Sequence, residues 1–131
     1  RADALDVRDR AAVEAWFAAL PGEWRAIDLL VNNAGLARGL APLHSGDVED
    51  WEEMIDTNLK GLLYVTRTVL PGMVERGRGH VINIGSIAGH EVYPGGNVYC
   101  ATKHAVAALT RGVAIDTLGA GVRVSTVGSS L

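Results

Sequence analysis

The chain has 131 residues, a formal net charge of -3, 48% hydrophobic and 21% charged residues, and only 5% aromatics. That bounds it to one globular domain at most. The absence of a basic stripe argues against nucleic acid as a partner, and no apolar run approaches the length of a membrane span. A single cysteine, Cys100, rules out an internal disulfide and fits a reducing, cytoplasmic compartment.

Ala4 to Val7 reads as the end of a short strand. Asp9 is placed to cap a helix in which Val13, Trp16, Phe17 and Leu20 recur at helical spacing, and Pro21-Gly22 stops it. Ile27 to Val31 is a short continuous apolar run, the pattern of a parallel strand buried on both faces. Asn32-Asn33-Ala34-Gly35 follows at its carboxyl end, and a loop rich in Gly, Pro and Ser runs to Gly46.

Asp47 opens a long helical pattern through Trp51, Met54, Leu59, Leu62 and Val69 to about Glu75, with Pro71-Gly72 expected to bend or interrupt it. His80 to Ile84 is a second buried-strand run, Asn97 to about Leu118 a further helix closed by Gly119-Ala120-Gly121, and Val122 to Val127 a third strand. Strands and helices in alternation predict a parallel α/β sheet, doubly wound, with helices on both faces. Ligands of such sheets sit outside the carboxyl ends of the strands, where Asn32 to Gly35, Ser86 and Gly128 fall.

Three residues carry candidate chemistry. Tyr99 and Lys103 are i and i+4 on the third helix, so they share a face one turn apart, and Ser86 ends the preceding strand thirteen positions before Tyr99. A free phenol has a pKa of roughly 10, too high for proton exchange near neutrality, and a nearby ammonium favours its ionised form. Ser86 would hold a carbonyl or alcohol oxygen beside the Tyr99 hydroxyl. The same spacing, taken alone, also suits an ordinary exposed helical pair. His44, His80, His90 and His104 show no metal-ligand spacing, so no metal is expected. Cys100 reads as a small packing residue.

With Leu5-Asp6-Val7, Asn32-Asn33-Ala34-Gly35, Asn58, Ser86 before Ile87-Ala88-Gly89, and the Tyr99/Lys103 pair in this order, the sequence resembles the short-chain dehydrogenase/reductases. Those are Rossmann-fold enzymes that move a hydride between a nicotinamide dinucleotide and a carbonyl or alcohol. Leu20-Pro21-Gly22-Glu23-Trp24, Met54 to Asn58 and Gly95 to Tyr99, among other segments, resemble the branch of NADP-dependent 3-hydroxy acid dehydrogenases that oxidise serine and allo-threonine. The resemblance implies a catalytic set of Asn58, Ser86, Tyr99 and Lys103. It also implies a cofactor-binding set of Asp6, Val7, Asn33, Ala34, Gly35, Tyr99 and Lys103.

In that set Asp6 would bond the adenine amino group, with Val7 against the ring. Asn32 to Gly35 would run beside the adenosine and brace the sheet. Asn58 would pause its helix and hold a water that relays protons to Lys103. Ser86 would orient the substrate oxygen, Tyr99 would be the acid or base, and Lys103 would act on Tyr99 and on the nicotinamide ribose. NADP is the cofactor implied, with NAD open; the substrate is a small molecule. A homo-oligomer, dimer or tetramer, is expected, with Val106 as an outward apolar position.

Two departures are visible. No G-x-G-x-x-G turn occurs, and Ser129-Ser130 stands where the family usually has Pro-Gly. Residues 1–131 are therefore expected to be a partial Rossmann domain cut at both ends, with Leu5–Val7 lacking a sheet partner and Ile27–Val31 on an open edge. A 3-oxoacyl-thioester reductase and a non-catalytic piece retaining only association helices are the alternative readings.

Overall fold

The computed structural model describes residues 1–128; the Ser129-Ser130 departure lies outside the described residues. The elements follow in the order α1 (Arg10–Ala19), β1 (Leu29–Asn32), α2 (Val48–Ile55), a π-helical turn (Asp56–Gly61), α3 (Leu62–Arg76), β2 (Gly79–Ile84), α4 (Asn97–Asp116) and β3 (Val122–Val127). The strands form a parallel sheet in the order β1-β2-β3.

Local signals set most of the boundaries. The Asp9 carboxylate accepts from Ala12 N at 3.1 Å and caps α1. Asp47 accepts from Glu49 N at 2.9 Å and caps α2, whose first turn carries Glu49 and Asp50 on the positive end of the helix dipole. Gly77, at φ +71, takes the left-handed conformation that ends α3.

Pro71 does not interrupt its helix: α3 runs through it to Arg76. Val69 and Met73, two residues to either side, are both buried in one cluster with Val81 of β2. Each buried side chain of this size contributes about 1.5–3 kcal/mol, enough to hold the helix continuous across one missing hydrogen bond. The break in the helical ladder comes earlier, at the π turn that contains Asn58.

Leu30, Val81 and Val124 are partners in register across the three strands and all belong to this core. Residues two apart on a strand share a face. Asn32 and Asn83, the next positions on that face, bond to Thr66 of α3 and Thr110 of α4. Both crossover helices therefore lie on one side of the sheet. The other side carries Leu29 and Val31, 54% and 47% exposed. The strand expected over Ile27–Val31 is thus Leu29–Asn32, half-open rather than buried on both faces, because no described residue covers that side. The incomplete doubly wound class stands, with helices on one face only among the described residues. Leu5–Val7 forms no strand, and its chain turns into α1 through Asp9 N donating to Asp6 O at 3.1 Å.

Candidate active site

The site gathers at the carboxyl ends of β1 and β2 around the first two turns of α4. Lys103 is its common neighbour. Its Nζ stands 5.9 Å from the centroid of the Tyr99 ring, as the one-turn spacing requires. Burial removes water from the ammonium and lowers its pKa from the usual lysine value of 10.5.

Ser86 is buried and caps the single turn Ile87–Gly89, its Oγ accepting from Ala88 N at 3.1 Å. That turn lies directly on α4. A Cβ on Gly89 would stand 3.1 Å from Lys103 O, a tight contact that a larger residue could make only by pushing the two backbones apart by a few tenths of an ångström. Ser86 and Lys103 consequently line one open cavity of about 510 Å³, which extends past His90 to Thr110 and Arg111.

Asn58 reaches the same place from the π turn. Its Oδ1 accepts from Leu36 N at 2.8 Å, and its Nδ2 donates to Leu36 O at 2.8 Å and to Thr102 Oγ1 at 3.1 Å. Both amide hydrogens are used, and one lone pair of Oδ1 remains. Gly35 lies between Asn58 and Lys103: a Cβ there would sit 3.3 Å from Asn58 Oδ1 and 3.5 Å from Lys103 Nζ. The structure thus brings Asn58, Ser86, Tyr99 and Lys103 to one corner.

The residues expected on the adenosine side lie around the end of β1. Val7, Asn33 and Ala34 line a small cavity of about 90 Å³ together with Gly61 of the π turn. Val7 packs so tightly on Gly61 that a Cβ there would come within 2.6 Å of Val7 Cγ2. Asp6 stands outside this cavity. Its carboxylate accepts from Arg8 N at 3.0 Å and Arg8 Nη2 at 2.8 Å, and the Arg8 hydrogen bonds hold its pKa down at about 2.

Asn32 was read as a brace of the sheet, but its partners Thr66, Asn83 and Thr110 escaped the sequence reading, as did Thr102 and Arg8. Asn32 Nδ2 donates to Thr66 Oγ1 at 3.0 Å and to Asn83 Oδ1 at 2.8 Å, and Asn83 Nδ2 donates to Thr110 Oγ1 at 2.9 Å. The signal available was Asn83 itself, a polar residue inside an apolar strand run, which must find a partner once buried. Thr102 and Arg8 carried no comparable signal. Val106, expected to face outward, is 1% exposed and faces the interior of the domain. Since α4 is apolar around much of its circumference, hydrophobic spacing could not fix its rotation. Cys100 is buried, as a packing residue would be. Among the described residues no group of His, Cys, Asp and Glu is placed to hold a metal, and no helix is long and apolar enough to cross a membrane.

The chain is 62% identical over 123 residues to the NADP-dependent 3-hydroxy acid dehydrogenase YdfG of Salmonella typhi, covering 94% of this chain and 50% of that protein. It is 47% identical over 124 residues to the serine 3-dehydrogenase of Rhizobium radiobacter, covering 95% of this chain and 49% of that one. Its fold superimposes on a closed form of serine dehydrogenase complexed with NADP+ at a TM-score of 0.94, with 59% identity, over 97% of this chain and 51% of the other. The chain thus spans about half the length of the curated relatives it matches. The model of the short chain dehydrogenase family matches residues 2–130, and the chain belongs to that family.

Proposed function

We propose that the protein to which these residues belong is an NADP-dependent dehydrogenase that oxidises the hydroxyl of a small 3-hydroxy acid, with Tyr99 as the proton-transferring group. The observation that carries this reading is the position of Lys103, close to the Tyr99 ring, beside Gly35 and Asn58, and on the wall of the cavity that Ser86 lines. The names of the similar proteins support the substrate class and the choice of NADP over NAD.

The residues present fit a dinucleotide along the end of β1. Gly35 has no Cβ to separate a ligand from Lys103, and Val7, Asn33 and Ala34 leave a cleft over Gly61. Those residues, with Asp6, would hold the adenosine side, and Lys103 the ribose next to the nicotinamide. When bound, the nicotinamide accepts the hydride in oxidation or supplies it in reduction.

The chain's own residues handle the proton. Ser86 holds the substrate oxygen at the cavity mouth, and the oxygen of Tyr99 takes the hydroxyl proton in oxidation or returns it in reduction. The Lys103 ammonium, poorly hydrated where it lies, stabilises the negative charge that oxygen carries between transfers. The free lone pair on Asn58 Oδ1 faces Lys103 across Gly35 and suits a water that passes protons to the lysine. We place the enzyme in the cytoplasm, as a homo-oligomer. Leu63 of α3 and Ile115 of α4 are exposed apolar residues suited to subunit contact.

The test is an assay of the full-length protein with NADP+ or NAD+, followed by absorbance of the reduced dinucleotide. Reduction of NADP+ with serine or allo-threonine is expected. Absence of turnover with every 3-hydroxy acid overturns the substrate class, and reduction of a 3-oxoacyl thioester in its place would point to the thioester reductases.

A further inference from the structure

Thr102 lies between Tyr99 and Lys103 in the sequence and flanks Tyr99 on α4, about 60° around the helix on the side away from Lys103. It is 3% exposed. Its hydroxyl donates to Tyr99 O at 2.7 Å and accepts from Asn58 Nδ2 at 3.1 Å. Asn58 in turn holds both backbone groups of Leu36, the residue after Gly35. A continuous set of hydrogen bonds therefore runs from the β1 loop, through the π turn, to the peptide of Tyr99.

A threonine hydroxyl inside a helix ordinarily satisfies itself on a carbonyl three or four residues back. Thr68, Thr110 and Thr117 do this, on Tyr64, Val106 and Val113. Thr102 and Thr110 each also receive a hydrogen from an asparagine side chain, Asn58 and Asn83 respectively, and what sets Thr102 apart is its place: its acceptor is the carbonyl of Tyr99 in the first turn of α4, and its donor is Asn58 beside Lys103. Among the described residues no other side chain of α4 hydrogen-bonds to Asn58. Without the hydroxyl, one buried amide hydrogen of Asn58 loses its acceptor, and Asn58 must rotate or α4 must shift to satisfy it. Either movement changes the distance between Asn58 Oδ1 and Lys103 and the direction of the Tyr99 ring.

We infer that Thr102 is a positioning residue for proton transfer, fixing the first turn of α4, and with it Tyr99 and Lys103, against Asn58. The inference rests on the proposed dehydrogenase reading. It makes the hydroxyl of Thr102, and not its methyl group, the part that matters for rate.

The test compares Thr102→Val, Thr102→Ser and Thr102→Ala in the full-length protein, with Tyr99→Phe as the control. Thr102→Val keeps the shape and removes the hydroxyl. It is expected to lower kcat about tenfold, to leave KM for the substrate within about twofold, and to move the pH at which the rate is half-maximal. Thr102→Ser should retain rate and pH profile near the wild type. Combining Thr102→Val with Asn58→Ala should cost little more than Asn58→Ala alone, because both break the same link. If Thr102→Val does not fold, Thr102→Ala against Thr102→Ser makes the same comparison.

A Thr102→Val enzyme that melts earlier but keeps its kcat and pH profile would show a structural role only and overturn the inference. A loss of kcat in Thr102→Ser equal to that in Thr102→Val would overturn it as well. A full-length wild type with no dehydrogenase turnover would overturn the reading beneath it, a distinct result.

Discussion

Asn32 and Asn83 stand opposite each other in register on β1 and β2, and Asn32 Nδ2 donates to Asn83 Oδ1 at 2.8 Å. Each amide continues to a threonine on a different helix, Thr66 on α3 and Thr110 on α4. Two strands and two helices are thereby tied at the level where the site begins. Replacing Asn83 with alanine removes the acceptor of Asn32 and the donor to Thr110. Asn83→Ala is expected to lower the free energy of unfolding of the full-length protein by about 1–3 kcal/mol, measured by urea denaturation. An unchanged midpoint would show that water replaces the pair without cost.

The Tyr99–Lys103 relationship was legible because it is local: four residues along one helix fix it, whatever surrounds them. The Asn83 pairs were not, since they join residues 51 and 27 positions apart and depend on the sheet order. Asn58 was singled out only through the family resemblance; a lone asparagine in a helical pattern carries no sign that its turn is widened. The half-open side at Leu29 and Val31 could not be read either. An apolar run gives the capacity to be covered and carries no sign of whether another element covers it.

Tyr99→Phe removes one transferable proton and little volume. In the full-length protein it is expected to abolish most turnover while leaving the dissociation constant for NADP+ nearly unchanged, by calorimetric titration. Retention of more than about a tenth of wild-type turnover would exclude Tyr99 as the acid or base.

Lys103 gives a pH-dependent counterpart. Its pKa is lower folded than the unfolded value of 10.5, so the folded state carries a penalty while the ammonium is charged. That penalty is fully present below the folded pKa and is relieved as pH rises from there toward 10.5. Lys103→Met should therefore melt higher than wild type at pH 7 and lose this advantage at alkaline pH, while being inactive at both. A lower melting temperature at neutral pH would show that Lys103 stabilises the fold.

Asp6 titrates in the opposite sense. Arg8 depresses its pKa from 3.8 to about 2, so the pair contributes above 3.8 and its contribution is lost as pH falls through about 2. In Arg8→Ala the Asp6 carboxyl should titrate well above 2 yet still below 3.8, because the backbone N–H of residue 8 keeps its bond to the carboxylate, a shift observable by carboxyl carbon NMR. A value still near 2 would assign the shift to the Arg8 backbone N–H, which also bonds to the carboxylate.

Ile115 is 72% exposed on α4, and Leu63 is 41% exposed on α3. A glutamate at either position desolvates poorly and should weaken subunit association of the full-length protein without disturbing its core. Sedimentation velocity at micromolar concentration should show a shift toward smaller species in Ile115→Glu. If the wild type is itself monomeric there, the oligomer is excluded.

The π turn at Asp56–Gly61 acts on the helix as a phase step. One residue more than an α-turn requires rotates everything beyond it by about 100° relative to what came before. That rotation lets a single run of chain serve two neighbours, α2 packing on α4 while α3 packs on β1, β2 and α1. Asn58 occupies the step itself, so the residue facing Lys103 is held where the helix changes allegiance. Side-chain exchanges around Asn58 leave that rotation intact. Removing one residue from the turn would cancel it, swinging Val69 and Met73 off Val81 even with every remaining side chain unaltered.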